Sequence, residues 1–506
     1  MVYRNMGCIF SSDADDGGPS ENSVNPSEVY VYVLGLREPK QIDLTEKLKG
    51  TVSPGLSEKM QSLRSKIITL CGRNGSGMKM KPQRKSLDGD SGDLDLEKAL
   101  NDYLPLLLGL VIGGDKFNSV VEFPWTNVVD EKKDTSMASV YYELLSVLHL
   151  LGVLALQEAN MCLTPKPRAD EYNSKATEGM CFALHPVYAF GRYLSSSLSW
   201  HTVSDESKRK SIKILLKAAS YFECALKAVL PNTPEDTKAK LPADLTETMF
   251  RSLEQQAIGQ AVDLQLGFAV VSGKASLAVK RRLACEHVEV WDEAVRKLRA
   301  VQLGERVRDK QLLYVKWKLA EAKAAAYYFH SQVLDEGCGK NIHAQSLSCM
   351  RASHAYLKES QKARNEFGNM EPLTKVPPLW GTMKYLYRRI PRERSSKRRL
   401  LRENYPKEKM PRKTPKLPEF PVALSADPFH LPPFDPAWKM ESGFEVRASL
   451  TAVLPVYYTL KDQIPPPILD LSRAGPALPP SAVTDMYALV SLASVYEVWW
   501  KDVKRD

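Results

Sequence analysis

No apolar run in this 506-residue sequence reaches the roughly 18 residues that cross a bilayer. The most apolar stretch, 144–159, contains His149 and Glu158 and reads as a buried helix. Eight cysteines, at 8, 71, 162, 181, 224, 285, 338 and 349, form no Cys-x-x-Cys pair, and no stretch reads as a secretory signal peptide. That pattern argues against both a zinc site and a disulfide framework, and for a reducing compartment. The eight histidines are dispersed, and His-Glu-x-x-His, Gly-x-Ser-x-Gly and paired Gly-rich motifs are missing. The glycines of 72–95 lack the Gly-Lys-Ser/Thr ending of a phosphate-binding loop, and no strand leads into them; they read as a surface loop.

The remaining candidates for chemistry are weak. His287 and Glu289 resemble half of a deaminase signature, but no Pro-Cys-x-x-Cys follows and the spacing puts them on different helix faces. Cys224 lies inside an amphipathic stretch, where it reads as a small core hydrophobe, although Lys227 one turn on would lower its pKa if the thiol were exposed. Glu254 and Asp263 read as solvated charges. The expectation is therefore a chain that is not an enzyme, with no catalytic residue, no metal, no cofactor and no small-molecule substrate.

Helical periodicity is abundant. Residues 205–230 repeat apolar side chains at Ile212, Leu215, Leu216, Ala219, Phe222, Leu226, Val229 and Leu230, the three-and-four spacing of an amphipathic helix. Ser204 and Asp205 offer N-caps, and Pro231 ends the run. Its apolar face is either one layer of a helical core or a groove open to a partner's helix. The same reading predicts helices over 94–113, 135–160, 176–199, 244–271, 274–300, 305–336 and 341–368, with Gly, Pro or polar turns between them. Long helices joined by short loops predict a mainly α, tetratricopeptide-like solenoid of helical hairpins without a strict 34-residue repeat. Residues 29–36 (Val-Tyr-Val-Tyr-Val-Leu-Gly-Leu) read as a strand, and 42–48 starts a helix. A terminal helix over about 481–502 is the expectation for the C-terminal end.

Charge is concentrated. Residues 384–416 carry 14 Lys or Arg against 3 Glu, a local net of +11, which leaves about −1 for the rest of a chain whose total is +10. A nucleic-acid reader usually spreads such charge over its folded face, so a nucleic-acid or nuclear protein acting through 384–416 is the alternative and not the first expectation. Thirteen prolines fall between 372 and 436, from which a segment without long helices is expected, extended along the domain or in solvent. Near the start, Met6-Gly7-Cys8 fits a myristoylation pattern with a neighbouring palmitoylation site, provided translation begins at Met6. Two acyl chains are what stable anchoring requires. Residues 13–26 then form a Gly/Ser-rich leash.

In order along the chain, these features resemble the Bro domain of Alix-type endosomal proteins. The resemblance rests on 29–36 followed by Ile-Asp-Leu-Thr-Glu-Lys-Leu at 42–48, on the helix at 94–110, and on Phe-Pro-Trp-Thr-Asn-Val-Val-Asp at 123–130. It continues with the helix over 139–159, Lys-Ala-Ala-Ser-Tyr-Phe at 217–222 running on to Leu230, and Leu-Pro-Ala-Asp-Leu-Thr at 241–246 with 255–260. Trp291, the helix at 316–328 and Val-Pro-Pro at 376–378 complete it. It implies a boomerang-shaped solenoid with a small β-sheet near one end, spanning 28–425 between a leash (1–27) and a C-terminal extension (426–506). The length leaves no room for Alix's later domains, so the chain looks like a BROX-like, Bro-domain-only member. Its Met-Gly-Cys start is similar to plant-type Bro-domain proteins.

The function the resemblance implies is a non-enzymatic adaptor of the endosomal ESCRT pathway. A concave apolar groove would receive the C-terminal amphipathic helix of an ESCRT-III charged multivesicular body protein. The matching groove positions are Phe222, Ala225, Leu226, Val229 and Leu230, with Leu226 one residue from the family's branched position, here Ala225. The chain would be cytoplasmic and peripheral on endosomal or plasma membrane. Gly7 and Cys8 would carry lipid, and Arg388, Arg389, Arg392, Arg394, Lys397, Arg398 and Arg399 would face the anionic surface.

Overall fold

A computed structural model describes residues 29–33, 35–75, 91–113, 117, 119–126, 134–164, 203–301 and 305–441. Among them the helical periodicity yields eleven α-helices: α1 (Leu44–Lys47), α2 (Pro54–Gly75), α3 (Ser91–Ile112), α4 (Val140–Leu163), α5 (Asp205–Cys224), α6 (Glu235–Lys238), α7 (Glu247–Val271), α8 (Leu277–Ala300), α9 (Glu305–Glu336), α10 (Ile342–Asn369) and α11 (Gly381–Asn404). Two strands, β1 (Phe123–Thr126) and β2 (Asp134–Met137), pair antiparallel with Phe123 opposite Met137 and Thr126 opposite Asp134. Each main helix packs on the next: α2 on α3, α3 on α4, α4 on α5, α5 on α7, α7 on α8, α8 on α9 and α9 on α10, with α11 across α7 and α10. Short turns link α7 to α8 and α9 to α10, so these pairs are helical hairpins. This is the mainly α hairpin solenoid with a small sheet that the sequence predicts.

Helix starts follow the capping residues. Ser204 Oγ accepts from Ser207 N (3.0 Å) at the head of α5, where Asp205 and Glu206 also suit the positive end of the helix dipole. Ser276 does the same for α8 through Val279 N (3.3 Å). Among the described residues one helix, α4, is long and apolar enough to cross a membrane, but nearly all of it is buried by the surrounding helices, the position of a core helix. Its Gly152 makes the α4–α5 approach possible: a Cβ there would lie 2.3 Å from the Phe222 ring.

Two expectations about local structure change. Residues 29–36 do not form a strand. Their backbone is held by side chains instead: Tyr30 N and Val31 N donate to Asn160 Oδ1 (2.7 and 2.8 Å), and Gln256 Nε2 donates to Tyr32 O (2.7 Å). With those groups taken by side chains, the segment's β-branched and aromatic residues bury themselves without a neighbouring strand. The sheet arises instead at 123–137, partly inside the stretch expected to start a helix at 135. The second change is α11. Of the thirteen prolines, only Pro391 falls within it, so the basic run is helical up to Asn404 and extended only afterwards. One interior proline weakens a helix locally; it does not exclude one that is packed along its inner side by Met383, Leu386 and Ile390.

Buried ion pairs tie the N-terminal segment to the solenoid. Arg37 donates to Asp244 (2.6 Å) and to the Tyr142 hydroxyl (2.8 Å). Glu143 on α4 accepts from Arg64 (3.1 Å), Trp125 Nε1 (2.6 Å) and the Tyr103 hydroxyl (3.2 Å). Each charge is withdrawn from water and paired, with Arg37 Nε and Asp244 Oδ1 left without a partner among the described residues, so losing one partner leaves an uncompensated buried charge.

Candidate functional site: the outer face of α5 and α7

α5 is the centre of the solenoid. α4 closes one of its sides and α7 another, and nearly every residue from Ser211 to Ala225 except Lys213, Lys217 and Glu223 is buried. After Cys224 the helix loosens into a π-turn, Ala225–Val229, in which Leu230 N–H donates to Ala225 O, and then into a 3-10 turn over Leu230–Asn232. A π-turn holds an extra residue per turn, and turns of this kind recur at functional positions. The one-residue offset between Ala225 and Leu226 falls on it.

The proposed groove residues do not line a groove. Phe222 is wholly enclosed, its ring 6.4 Å from that of His149 and 6.2 Å from that of Phe250. Ala225 and Val229 are interior as well, and Leu226 and Leu230 retain only 7% of their surface. The reason is position: a helix packed by α4 and α7 on two sides turns its most apolar stripe inward. On the outer side of α5, Glu223 is partly exposed and Ala219 lies beneath the covering chain, both beside Glu254, Gln255 and Ile258 of α7.

That outer face is covered by the chain's own C-terminal segment. Residues 405–435 cross the solenoid as an extended, proline-rich strap. Phe420 lies beneath the guanidinium groups of Arg281 and Arg282 (5.9 and 5.8 Å), Ala423 N donates to Glu286 (3.2 Å), and Phe429 packs edge-on against Tyr221 with ring centres 4.6 Å apart. Between strap and helices lies a cavity of about 170 Å³, lined by Ala219, Glu223, Glu254, Ile258, Leu424 and Ala426 among others. Burial raises the Glu254 carboxyl above the usual range, opposed by Arg251. Packing continues past residue 425: Trp438 is fully buried, donates from Nε1 to Leu106 O (3.0 Å), and fills the space over Gly109 where a Cβ would not fit. Of the two courses the prolines allow, along the domain or in solvent, residues 405–435 take the first; the apolar residues that fasten them (Leu424, Phe429, Leu431, Trp438) were not singled out from the sequence.

The other candidates resolve as structural. His287 accepts from Trp291 Nε1 (2.8 Å), and burial holds its pKa down to about 3. Burial pushes the Cys224 thiol up to about 12, so it carries no thiolate character. Glu254 and Asp263 are buried and not solvated: Asp263 sits beside Lys318 and Thr382, with its carboxyl raised chiefly by burial. Among the described residues no cluster of His, Cys, Asp and Glu is arranged to hold a metal. Of the basic residues, Arg388, Arg389, Arg392, Arg398 and Arg399 face outward on α11. Two do not: Arg394 is bonded to His354 Nδ1 (3.1 Å), and Lys397 turns in to Asp335 and to Ser346 (3.1 Å). Gly7, Cys8, the helix expected at 176–199 and the terminal helix at 481–502 lie outside the described residues, as does most of the loop expected at 72–95.

No protein-family model and no curated protein matches the chain. Solved structures do. A crystal structure of ALIX in complex with the SIVmac239 PYKEVTEDL late domain is similar over 85% of this chain and 53% of its own, with a TM-score of 0.55 at 14% identity. The chain thus spans about half the length of that ALIX chain. A complex of ALIX BRO1 with CHMP4C is similar over 81% of this chain and 99% of its own (TM-score 0.53, 14% identity). A Bro1-domain structure described as the basis for endosomal targeting is similar over 86% and 98% (TM-score 0.50, 15% identity). Identities this low speak for architecture. Over more than four-fifths of its length, the chain has the fold of a Bro1 domain.

Proposed function

We propose that this protein is a non-enzymatic adaptor of the endosomal ESCRT pathway. Its outer α5–α7 face receives the C-terminal amphipathic helix of an ESCRT-III charged multivesicular body protein. The observation that carries the reading is the Bro1 fold, which a solved structure shows in ALIX together with CHMP4C. The site itself supplies an apolar floor at Ala219 and Ile258, suited to the apolar side of such a helix, while Glu223 and Glu254 at its edge are paired with Lys227 and Arg251. The outward arginines of α11 support a peripheral position on an anionic membrane, each contributing about 1 kcal/mol when close to the headgroups.

The test is fluorescence anisotropy of labelled ESCRT-III C-terminal helices with the full chain. Ile258→Asp serves as the control, because Ile258 is partly exposed; a melting curve checks that the variant still folds, since the same side chain also packs on the core. Micromolar binding removed by Ile258→Asp is the expected result. Failure of every subunit's helix to bind sinks the reading.

A further inference from the structure

The face assigned to a partner is already occupied, and its occupant has the structure of a removable cover. Residues 417–441 contain six prolines, Pro418, Pro421, Pro428, Pro432, Pro433 and Pro436, and take no regular structure before the short turn at Pro436–Met440. Proline fixes φ in advance, so the segment docks in extended form at reduced entropic cost. The two ends are held firmly. At one end Phe420 lies under Arg281 and Arg282. At the other, Asp435 pairs with Lys59 (2.7 Å), Asp435 N donates to Pro105 O (3.0 Å), Trp438 is buried, and Glu441 accepts from Ser53 N (2.9 Å).

The middle is different. From Pro421 to His430 only Leu424 is buried; Val422 keeps 39% of its surface, and Asp427 and Pro428 are exposed. Beneath this stretch is the cavity against Ala219, Glu223 and Ile258. At about 170 Å³ it accepts a side chain or a few waters. An α-helix about 10 Å across cannot enter it.

We propose that the strap is an in-cis occupant of the α5–α7 face, and that a partner helix docks only by lifting residues 421–430 while the flanking anchors stay seated. This inference rests on the groove reading above and adds its regulation. The affinity of the full chain is then reduced by the fraction of time the strap is seated, so loosening the middle raises affinity without altering the groove. Leu424 and Phe429 are the side chains to remove, since they hold the middle through Leu424's burial and Phe429's contact with Tyr221.

Two measurements on the full chain test this. The first is backbone hydrogen exchange across 422–431, with and without a saturating ESCRT-III C-terminal helix. Exchange of the Ala423 amide, which is bonded to Glu286, should accelerate on binding, while the bonded amides of Trp438 and Glu441 stay protected. Exchange that is unchanged or slower at Ala423 on a chain that binds the helix overturns the strap's role and leaves the groove reading standing. The second is the Kd of the same helix for Leu424→Ala/Phe429→Ala, expected to fall at least fivefold. An unchanged Kd in the folded variant also overturns it. If no helix binds either chain, the groove reading fails and this inference with it; a variant that does not fold leaves the exchange measurement, made on the unmodified chain, to decide.

Discussion

Phe222 points inward from α5 and Phe429 packs on the outer side of the same turn at Tyr221, and they do different physical work. Phe222 sits in a pocket shaped by the absence of a side chain at Gly152 and by the rings of His149 and Phe250, so no water reaches it. Phe429 touches Tyr221 edge-on and stays half-buried on a strap whose neighbours are exposed. Side chains of the first kind determine whether the solenoid exists. Those of the second kind determine what its surface offers, and they can be exchanged for a partner's at small cost. The comparison predicts that stability responds steeply to substitutions on the inner side of α5 and weakly on the outer side.

The largest expected effect is Phe222→Ala, which removes a fully enclosed ring between helices that cannot close up; a loss of about 3–5 kcal/mol follows, read by urea unfolding. A loss under 1 kcal/mol would mean α4 and α5 are not locked as described. Next comes acid. Burial holds the His149 pKa down to about 4, with Asp244 opposing and Arg37 assisting, and His287 down to about 3. The unfolded chain binds these protons near pH 6.5, so it takes up more protons than the folded one below that pH, and stability falls as the pH drops. At pH 5 the loss is about 2 kcal/mol per histidine. Neither ring nitrogen of His149 has a hydrogen-bond partner among the described residues, so His149→Leu keeps the fold and removes about half of this acid sensitivity. An identical pH profile in the variant would refute that assignment. On the outer side, Phe429→Ala should cost only about 1–2 kcal/mol, the aromatic contact and its modest burial. A cost equal to that of Phe222→Ala would erase the distinction between the two faces.

How much of this was legible in the sequence differs between the same two regions. The long helices were readable because their apolar spacing and caps are local: 305–336 was expected and is α9, and the expectations at 274–300 and 341–368 differ from α8 and α10 by a few terminal residues. Which side of α5 faces a partner was not readable. Periodicity marks an apolar stripe but not whether protein or solvent covers it, and here α4 and α7 cover the stripe that holds Phe222, Ala225 and Val229. The segment at 29–36 failed for a related reason: its composition favours a strand, but Asn160 and Gln256, far along the chain, satisfy its backbone instead. α2 was missed although Leu56, Met60, Leu63, Ile67 and Leu70 carry the three-and-four spacing of a helix, and α11 because the prolines on either side of it are not inside it, save Pro391.

The smallest expected change in stability belongs to α11, and there the comparison is sharpest. Arg398 and Arg399 face outward near the end of the helix, beyond the residues (Met383, Leu386 and Ile390) that fasten it to the body. Replacing both by Ala removes charge without opening a core, and alanine favours helix, so stability should shift by no more than about 0.5 kcal/mol. Binding is another matter. If these arginines lie against an anionic leaflet, losing two costs about 2 kcal/mol, a roughly thirtyfold weaker partition onto phosphatidylserine vesicles, and the difference shrinks as salt is raised. Anisotropy with the ESCRT-III helix should be unchanged, because the site proposed for it is on α5 and α7. Equal vesicle binding by both chains would remove the membrane from the function of α11, whereas weakened binding of the helix by the same variant would join the basic face to the groove as one surface.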